Sequence, residues 1–361
     1  MKSERFKNSS EELKEFVDRN YSEASSGMNV AVGRDSYKLS YFQGEIPALN
    51  FKYDENTIYD MASLTKPVVT ATLVMKYVEK GKLSLEDTLG SLKMYAPDML
   101  ISNLTIKQLI SHSSGLFPTF PLQKHGKAKE DYLRTIGLMH QHNTLPAAEE
   151  YSDLNFILLA FVMEELSGKT LDVLAKEEIF KPLSMNSSSF NPSFPKENIA
   201  PTEEDPGREM PVWGKVHDEK AYYYGGVSGH AGLFSNAHDL TIFAKALLSG
   251  KIVKSETLNH MTTPQNLNIG GMFGLGWMIK TPKPVSPGPS FGYNAFMGDT
   301  VHNGAFGHTG FTGTSICIDP ATKAYAIILS NRVYPTRENL NILKFRRRFH
   351  NLVFSHLNSS D

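Results

Sequence analysis

The chain has 361 residues, 40% hydrophobic and 21% charged, enough to build a substantial core and too apolar for wholesale disorder. Its 37 Lys and Arg balance 38 Asp and Glu, which argues against a nucleic-acid binder working through bulk positive charge. The single cysteine, Cys317, excludes an internal disulfide and a cysteine-based metal cluster. It sits in the alternating run "TSICIDP" and reads as a buried structural thiol.

In chain order, residues 9–26 read as a helix. Ser9 or Ser10 serves as its cap, Glu11 and Glu12 sit in the first turn, and Gly27 is the stop. The stretch "MNVAVGRDSYKLSYFQG" reads as a hairpin. "SLTKPVVTATLVMKYVEKG" spaces Val68, Val69, Leu73 and Val78 for a buried helix ending at Gly81, with Pro67 in the first turn. From about 65 to 300 the pattern is mostly helical with long loops, and the Pro- and Gly-rich 280–292 reads as a surface loop. "AFGHTGFTGTSICIDP" and "KAYAIILSN" read as two strands joined by the turn "DPATK". In "TRENLNILKFRRRFHNLVFSHL", Leu340, Leu343, Phe345, Phe349, Val353 and Phe354 fall at helical spacing, Thr336 and Glu338 fit its start, and "KFRRR" reads as a solvated face.

Strands at both ends that must meet in one sheet, with a helical region between, define an α+β arrangement. The expectation is one catalytic domain over 1–361, with a sheet subregion of about 1–60 plus 295–361 and a helical subregion of about 65–290. No stretch reaches the ~18 apolar residues of a membrane span. The N-terminus "MKSERFKNSSEELKEF" has no apolar core of the signal-peptide kind. The chain as it stands is thus expected in the cytoplasm, or in the periplasm if a signal was trimmed.

Three short motifs carry chemistry. In "DMASLTKPVV", Ser63 and Lys66 lie three apart at a helix start, where backbone N–H groups and the helix dipole favour a developing oxyanion. Desolvation there is expected to lower the Lys66 pKa and let the amine take the serine proton. In "EEYSDLNFILLAFVMEEL", Tyr151 and Asp153 stand just ahead of an apolar helix, where a tyrosine can aim its phenol into a cleft. In "FGHTGFTG", His308, Thr309 and Gly310 sit on a glycine-rich strand that another backbone or a substrate can approach closely.

With these motifs in this order, the chain resembles the serine β-lactamase and penicillin-binding-protein family, in the class C branch that also holds D-alanyl-D-alanine carboxypeptidases and esterases. "LISHSSGL" (109–116) and "GKVHDEKAYYYGGVSGHAGLFSNAHDL" extend the resemblance over nearly the whole chain. It implies a β-lactamase/transpeptidase-like fold, an antiparallel sheet flanked by helices with a mostly helical inserted region. It implies Ser63 as nucleophile, Lys66 as its base partner, and Tyr151 as the group that passes the proton to the leaving group and then activates water. The oxyanion hole would use the backbone N–H groups of Ser63 and Phe311.

Two positions depart from the family pattern. Asp153 stands where an Asn is usual, and His308 where a Lys is usual. An ionised Asp only accepts hydrogen bonds. A histidine is mostly neutral near pH 7 and gains charge below about 6.5. Both changes weaken a site for an acylamino chain and a carboxylate. The expected activity is therefore hydrolysis of a peptidoglycan-like D-alanyl peptide or a small ester, with no metal or cofactor and no nucleic-acid partner. The alternatives are a true class C-like β-lactamase and a non-catalytic peptide-binding relative. Such relatives commonly lose a key side chain, and here Ser63, Lys66 and Tyr151 are all present.

Several motifs read as ordinary structure. "SGKT" (167–170) lacks the earlier P-loop glycine, so Gly168 is a helix stop. Ser228 is followed by Gly229 and His230 without the nucleophile-elbow spacing. His217, Asp218 and His230 could be posed as metal ligands, but loop or core hydrogen bonding is the better reading. His112 reads as a helix C-terminal cap or a buried hydrogen bonder, and Tyr222–Tyr224 as lining a cleft or packing beneath it.

Overall fold

The computed structural model describes residues 2–34, 36–140, 148–282 and 292–358, the side chains from residue 9 onward. Most of the Pro- and Gly-rich loop, 283–291, lies outside the described residues. The strands are β1 Gly27–Arg34, β2 Tyr37–Ile46, β3 Phe51–Lys52, β4 Tyr59–Asp60, β5 Ser189–Phe190, β6 Leu233–Ser235, β7 Met278–Ile279, β8 Phe306–Thr309, β9 Ser315–Asp319 and β10 Ala324–Ser330. They form an antiparallel seven-stranded sheet, ordered β3-β2-β1-β10-β9-β8-β7, and a small sheet ordered β4-β6-β5. The two ends of the chain do meet, with Val30 opposite Ile328 at the β1–β10 seam.

Period-two alternation along β1 and β10 feeds two cores. On one face Val30, Val32, Ala326 and Ile328 pack with Leu13 and Val17 of helix Lys2–Ala24 and with Phe345, Phe349 and Val353 of helix Asn341–Asn358. On the other face Ala31, Ile327 and Leu329 belong to the larger core, with Leu64, Val68 and the helix Asp153–Ser167. That helix is buried from Leu154 through Met163, so it is a core helix rather than an amphipathic one. Each large side chain buried there contributes about 1.5–3 kcal/mol. Cys317 is fully buried on β9.

Several boundaries differ from the sequence reading. The first helix starts at Lys2, and Ser9 and Ser10 lie inside it. The Ser10 hydroxyl meets the Tyr37 hydroxyl at 3.1 Å, so a tertiary contact replaces the capping role. The expected pair of C-terminal strands is three, because "GHTGFTGTS" folds back on itself. Gly310 N–H donates to Thr314 O at 2.7 Å and Gly313 N–H to Gly310 O at 3.1 Å. The small strand β7 joins the main sheet from within the expected helical subregion. The last helix starts at Asn341, and Leu340 and Leu343, read as core, are 61% and 58% exposed.

The basic run is also not a uniform solvated face. Arg346 is buried, and its Nη2 donates to Gly310 O at 2.8 Å and Thr314 O at 2.7 Å. Periodicity could not show this, because the acceptors belong to a turn more than thirty residues earlier in the chain. Arg347 does stay at the surface, paired with Asp299.

Candidate active site

The segment around Ser63 is not one regular helix. A 3₁₀ turn, Ala62–Leu64, is followed by a wide π-type run, Lys66–Ala71, and then by the α-helix Thr72–Glu79. Pro67 leads the wide run, and the Thr72 hydroxyl closes it by donating to Pro67 O at 2.8 Å. In a 3₁₀-type turn positions i and i+3 eclipse, which suits the Ser63–Lys66 contact better than an α-turn does. Ala62, just before the serine, has φ +46°, a left-handed conformation costing a non-glycine residue about 1–2 kcal/mol.

Two clamps hold that turn. The Asp60 carboxylate accepts from Ala62 N–H at 2.7 Å and from His217 N–H at 2.6 Å, and the Thr65 hydroxyl donates to Ala62 O at 2.7 Å. Burial pushes the Asp60 carboxyl above its ordinary range, against the pull of those two amides. Sequence reasoning passed over Asp60 although it stands in the motif itself.

Lys66 is fully buried. Its Nζ lies 2.9 Å from Ser63 Oγ, 2.8 Å from Asp153 Oδ1 and 3.2 Å from His230 O. It also sits 4.7 Å from the centre of the Tyr151 ring, and the Tyr151 hydroxyl bonds to both Lys66 and Ser63. The expected fall in the Lys66 pKa is not found. Burial lowers it, but the Asp153 carboxylate and Tyr151 outweigh burial, and the net shift is upward. Lys66 is therefore an ammonium at rest. The Tyr151 phenol is pushed up by burial and by Asp153 against the pull of Lys66.

Tyr151 and Asp153 enter this contact from the start of the core helix. Ser152 caps the helix, its Oγ accepting from Leu154 N–H at 3.2 Å and donating to Phe117 O at 2.6 Å. His112 lies behind the tyrosine, its ring centre 4.6 Å from that of Tyr151. Its Nδ1 accepts from Ser152 N–H at 3.1 Å, and burial holds the imidazole neutral. His112 has φ +59° just past helix Ile106–Ile110, so it combines the two roles read from the sequence.

Asp153 does not sit free to receive a substrate amide. It is shared between Lys66 and Lys220, the latter at 3.3 Å, and Lys66 first among its cations holds the carboxyl down at about 2 in spite of burial. Lys220 continues to Asp218 at 3.1 Å, and Asp218 to His230 Nε2 at 2.8 Å. The posed metal set breaks up here. His217 leaves the cluster to bond Glu203 at 2.8 Å and stack on Phe311. Asp153, Asp218 and His230 do converge within 4.8 Å, but the Lys220 ammonium already bridges the two carboxylates. Tyr224 packs beneath the site against Tyr132 and Phe161.

The opposite wall is β8 and its turn. Among the described residues β7 pairs with Phe306 and Gly307, and His308 and Thr309 run on past its end. Gly310 is needed there, since a Cβ would meet Met61 O at 2.4 Å and Thr314 Oγ1 at 2.1 Å. The close neighbour that the glycine admits is the turn that carries Ser63. Thr312 and Thr314 hydroxyls donate to Asp60 O at 2.7 Å and Met61 O at 3.0 Å, tying the two turns together. Arg346 holds the carbonyl of the Gly310–Phe311 peptide, which turns the Phe311 N–H the other way, and Arg332 Nε holds Phe311 O at 2.7 Å.

His308 is fully buried. Its Nδ1 donates to Thr309 O at 2.8 Å, and burial, with Lys66 nearby, brings its pKa down to about 3. The expectation that it gains charge below about 6.5 is corrected by that burial. Ser63, Tyr151, His308, Thr309, Gly310 and Phe311 all line one cleft of about 790 Å³, whose far end carries Tyr293, Leu340, Leu343 and Lys344.

A serine, lysine and tyrosine in mutual contact, set between a core helix and a sheet edge, define the serine hydrolases of β-lactamase/transpeptidase-like fold. The sequence model of the Beta-lactamase family matches residues 13–348, and the chain belongs to that family. It is 32% identical over 320 residues to a "Putative D-alanyl-D-alanine carboxypeptidase" of Escherichia coli (strain K12), covering 78% of this chain and 70% of that protein. Among solved structures it is similar to EstCE1, "a hydrolase with promiscuous acyltransferase activity", with TM-score 0.72, 19% identity and coverage of 97% and 99% of the two chains. A class C β-lactamase mutant gives TM-score 0.71 at 19% identity, covering 98% of each chain. At those identities the structural likenesses speak for the fold. Among the described residues no helix is long and apolar enough to cross a membrane.

Proposed function

We propose that the chain hydrolyses a D-alanyl peptide or a small ester through an acyl-enzyme on Ser63. The observation that carries this is the Lys66 Nζ–Ser63 Oγ contact of 2.9 Å, with the Tyr151 hydroxyl bonded to both groups. The substrate carbonyl oxygen would lie between the Ser63 and Phe311 N–H groups, where two fixed donors stabilise the developing charge. Ser63 Oγ attacks the carbonyl carbon, and its proton passes to the Lys66–Tyr151 pair. Only a form of that pair one proton short can accept it. Asp153 favours the proton on both Lys66 and Tyr151, so the two act together as the base once the pair has lost one proton. The leaving group then takes that proton, and water, deprotonated along the same route, frees Ser63. Such acid–base help is worth about 10²–10⁴-fold.

The peptide substrate is supported by the name of the Escherichia coli relative, and the ester by the buried, neutral His308 on the strand wall. A neutral His308 offers a carboxylate no charge assistance, which disfavours β-lactams. The test is intact mass after mixing with a fluorophosphonate and, separately, with benzylpenicillin, alongside release of D-alanine from a D-alanyl-D-alanine peptide. The reading expects one adduct on Ser63 and turnover of the peptide or of p-nitrophenyl acetate. Fast penicillin turnover would make the chain a β-lactamase, and failure of both reagents to label Ser63 would sink the acyl-enzyme.

A further inference from the structure

Behind the catalytic contact runs a buried ladder of charge that the reaction as described does not use. Lys66 meets Asp153 at 2.8 Å, Asp153 meets Lys220 at 3.3 Å, and Lys220 meets Asp218 at 3.1 Å. Asp218 accepts from His230 Nε2 at 2.8 Å, and His230 Nδ1 meets the Ser228 hydroxyl at 2.9 Å. The ladder then closes on itself, because the carbonyl of the same His230 accepts from Lys66 Nζ. Gly229 makes this possible, since a Cβ there would meet Phe156 O at 2.0 Å. Two ammonium groups and two carboxylates balance. Removing any one leaves an unpaired charge in a place where Lys66 and Lys220 side chains are 0% and 9% exposed.

We propose that Lys220 is a positioning residue of the reaction: by sharing the Asp153 carboxylate with Lys66, it sets the pH at which the Lys66–Tyr151 pair can take the Ser63 proton. This rests on the acyl-enzyme reading above. The geometry gives its direction. Each oxygen of Asp153 serves a different lysine, so Lys220 draws off part of the negative field that Lys66 and Tyr151 feel. Lys220 is itself fixed by the Thr119 hydroxyl at 3.1 Å and by its own carbonyl, which accepts from the Tyr132 hydroxyl at 3.1 Å. Asp218 is fixed as the cap of helix Glu219–Tyr223, accepting from Ala221 N–H at 2.9 Å.

Among the described residues, groups facing the pair include His112 from the loop after helix Ile106–Ile110, His308 from β8, Tyr293 from the turn Tyr293–Met297, and His230 and Asp218 through the ladder. His112 and His308 are held neutral by burial and do not titrate between pH 6 and 10.

The experiment is kcat/KM for p-nitrophenyl acetate from pH 6 to 10, with Ser63→Ala as blank, in Asp153→Asn, Asp218→Asn, Lys220→Met and Lys220→Arg. Both groups are held above their ordinary values, so the wild-type rate climbs across this whole range as the pair loses its proton, and each variant is read as a displacement of that climb along the pH axis. Asp153→Asn removes the anion that favours both protons, and should move the climb down by about one pH unit. Asp218→Asn should move it down by less, and Lys220→Met should move it up. Lys220→Arg should bring it back toward wild type. If Lys220→Met does not fold, Lys220→Met with Asp218→Asn removes one charge of each sign and should return the climb close to wild type. Shifts of the same sign for the acid and the lysine variants, or no shift in any, would overturn the proposal. Activity surviving in Ser63→Ala would instead overturn the nucleophile, so the two failures are told apart.

Discussion

The two walls that flank Ser63 handle charge in opposite ways. On the strand wall His308 is buried and neutral, with its Nδ1 committed to Thr309 O, while Arg346 and Arg332, which also line the cleft, hold the carbonyls of the turn. On the helix wall Asp153, Lys220 and Asp218 form with Lys66 a ladder of two carboxylates and two ammonium groups. Where the family pattern usually has a lysine on the strand and an asparagine after the tyrosine, this chain carries a buried neutral His308 on the strand and an Asp153 paired with Lys66 on the helix. A cation facing the substrate serves binding, whereas an anion behind the base serves proton transfer.

The comparison breaks most completely at Ser63, which both walls serve. Ser63→Ala should lower kcat/KM on p-nitrophenyl acetate on the order of 10⁴–10⁶-fold while cooperative melting is kept. Retained activity would place the nucleophile elsewhere.

On the helix wall, Tyr151→Phe keeps the ring against His112 and Lys66 and removes only the hydroxyl. Turnover should fall about 10²–10⁴-fold with slow labelling of Ser63 preserved. Wild-type turnover in this variant would make Tyr151 a packing residue.

On the strand wall, Gly310→Ala puts a methyl where Met61 O already stands, and must part the two turns. A displacement of this kind should cost on the order of 10²-fold in kcat, and about 1–3 kcal/mol in urea unfolding. A variant with normal kcat would show that the turns need not stay in register.

The smallest effects test His308. Because its pKa is about 3, the ratio of ester to cephalosporin kcat/KM should not change between pH 7 and pH 6. His308→Lys should move that ratio about tenfold toward the cephalosporin, the effect of one charge-assisted hydrogen bond. A wild-type ratio that shifts between those pH values would mean His308 takes a proton once the cleft is filled.

Much of this molecule was legible in the sequence. Alternation in "MNVAVGR" and "KAYAIILSN", helical spacing from Phe345 to Phe354, and Gly168 as a stop depend on neighbours a few residues away, so local pattern carries them. Ser63, Lys66, Tyr151 and His308 stand out as candidates because their residue types and order resemble a family, and the fold brings them to one cleft and its buried base. The ring that Asp60 makes with Ala62 and His217 was missed, as were Lys220 and the buried Arg346. Each acts through a partner from 36 to 157 positions away or through a backbone atom, which no spacing rule records.

The sequence by itself determined the longer strands and helices and which side chains are candidates for acyl transfer, because periodicity and residue chemistry are local properties. Tertiary structure alone decided the protonation state of those side chains. Lys66 was expected to be a depressed amine and is an ammonium, and His308 was expected to charge near pH 6.5 and stays neutral to about 3. The reason is the same in both cases: a buried group titrates according to its burial and the charges packed near it, and only the folded chain sets the Asp153 carboxylate against Lys66 while burying His308 near the Lys66 cation.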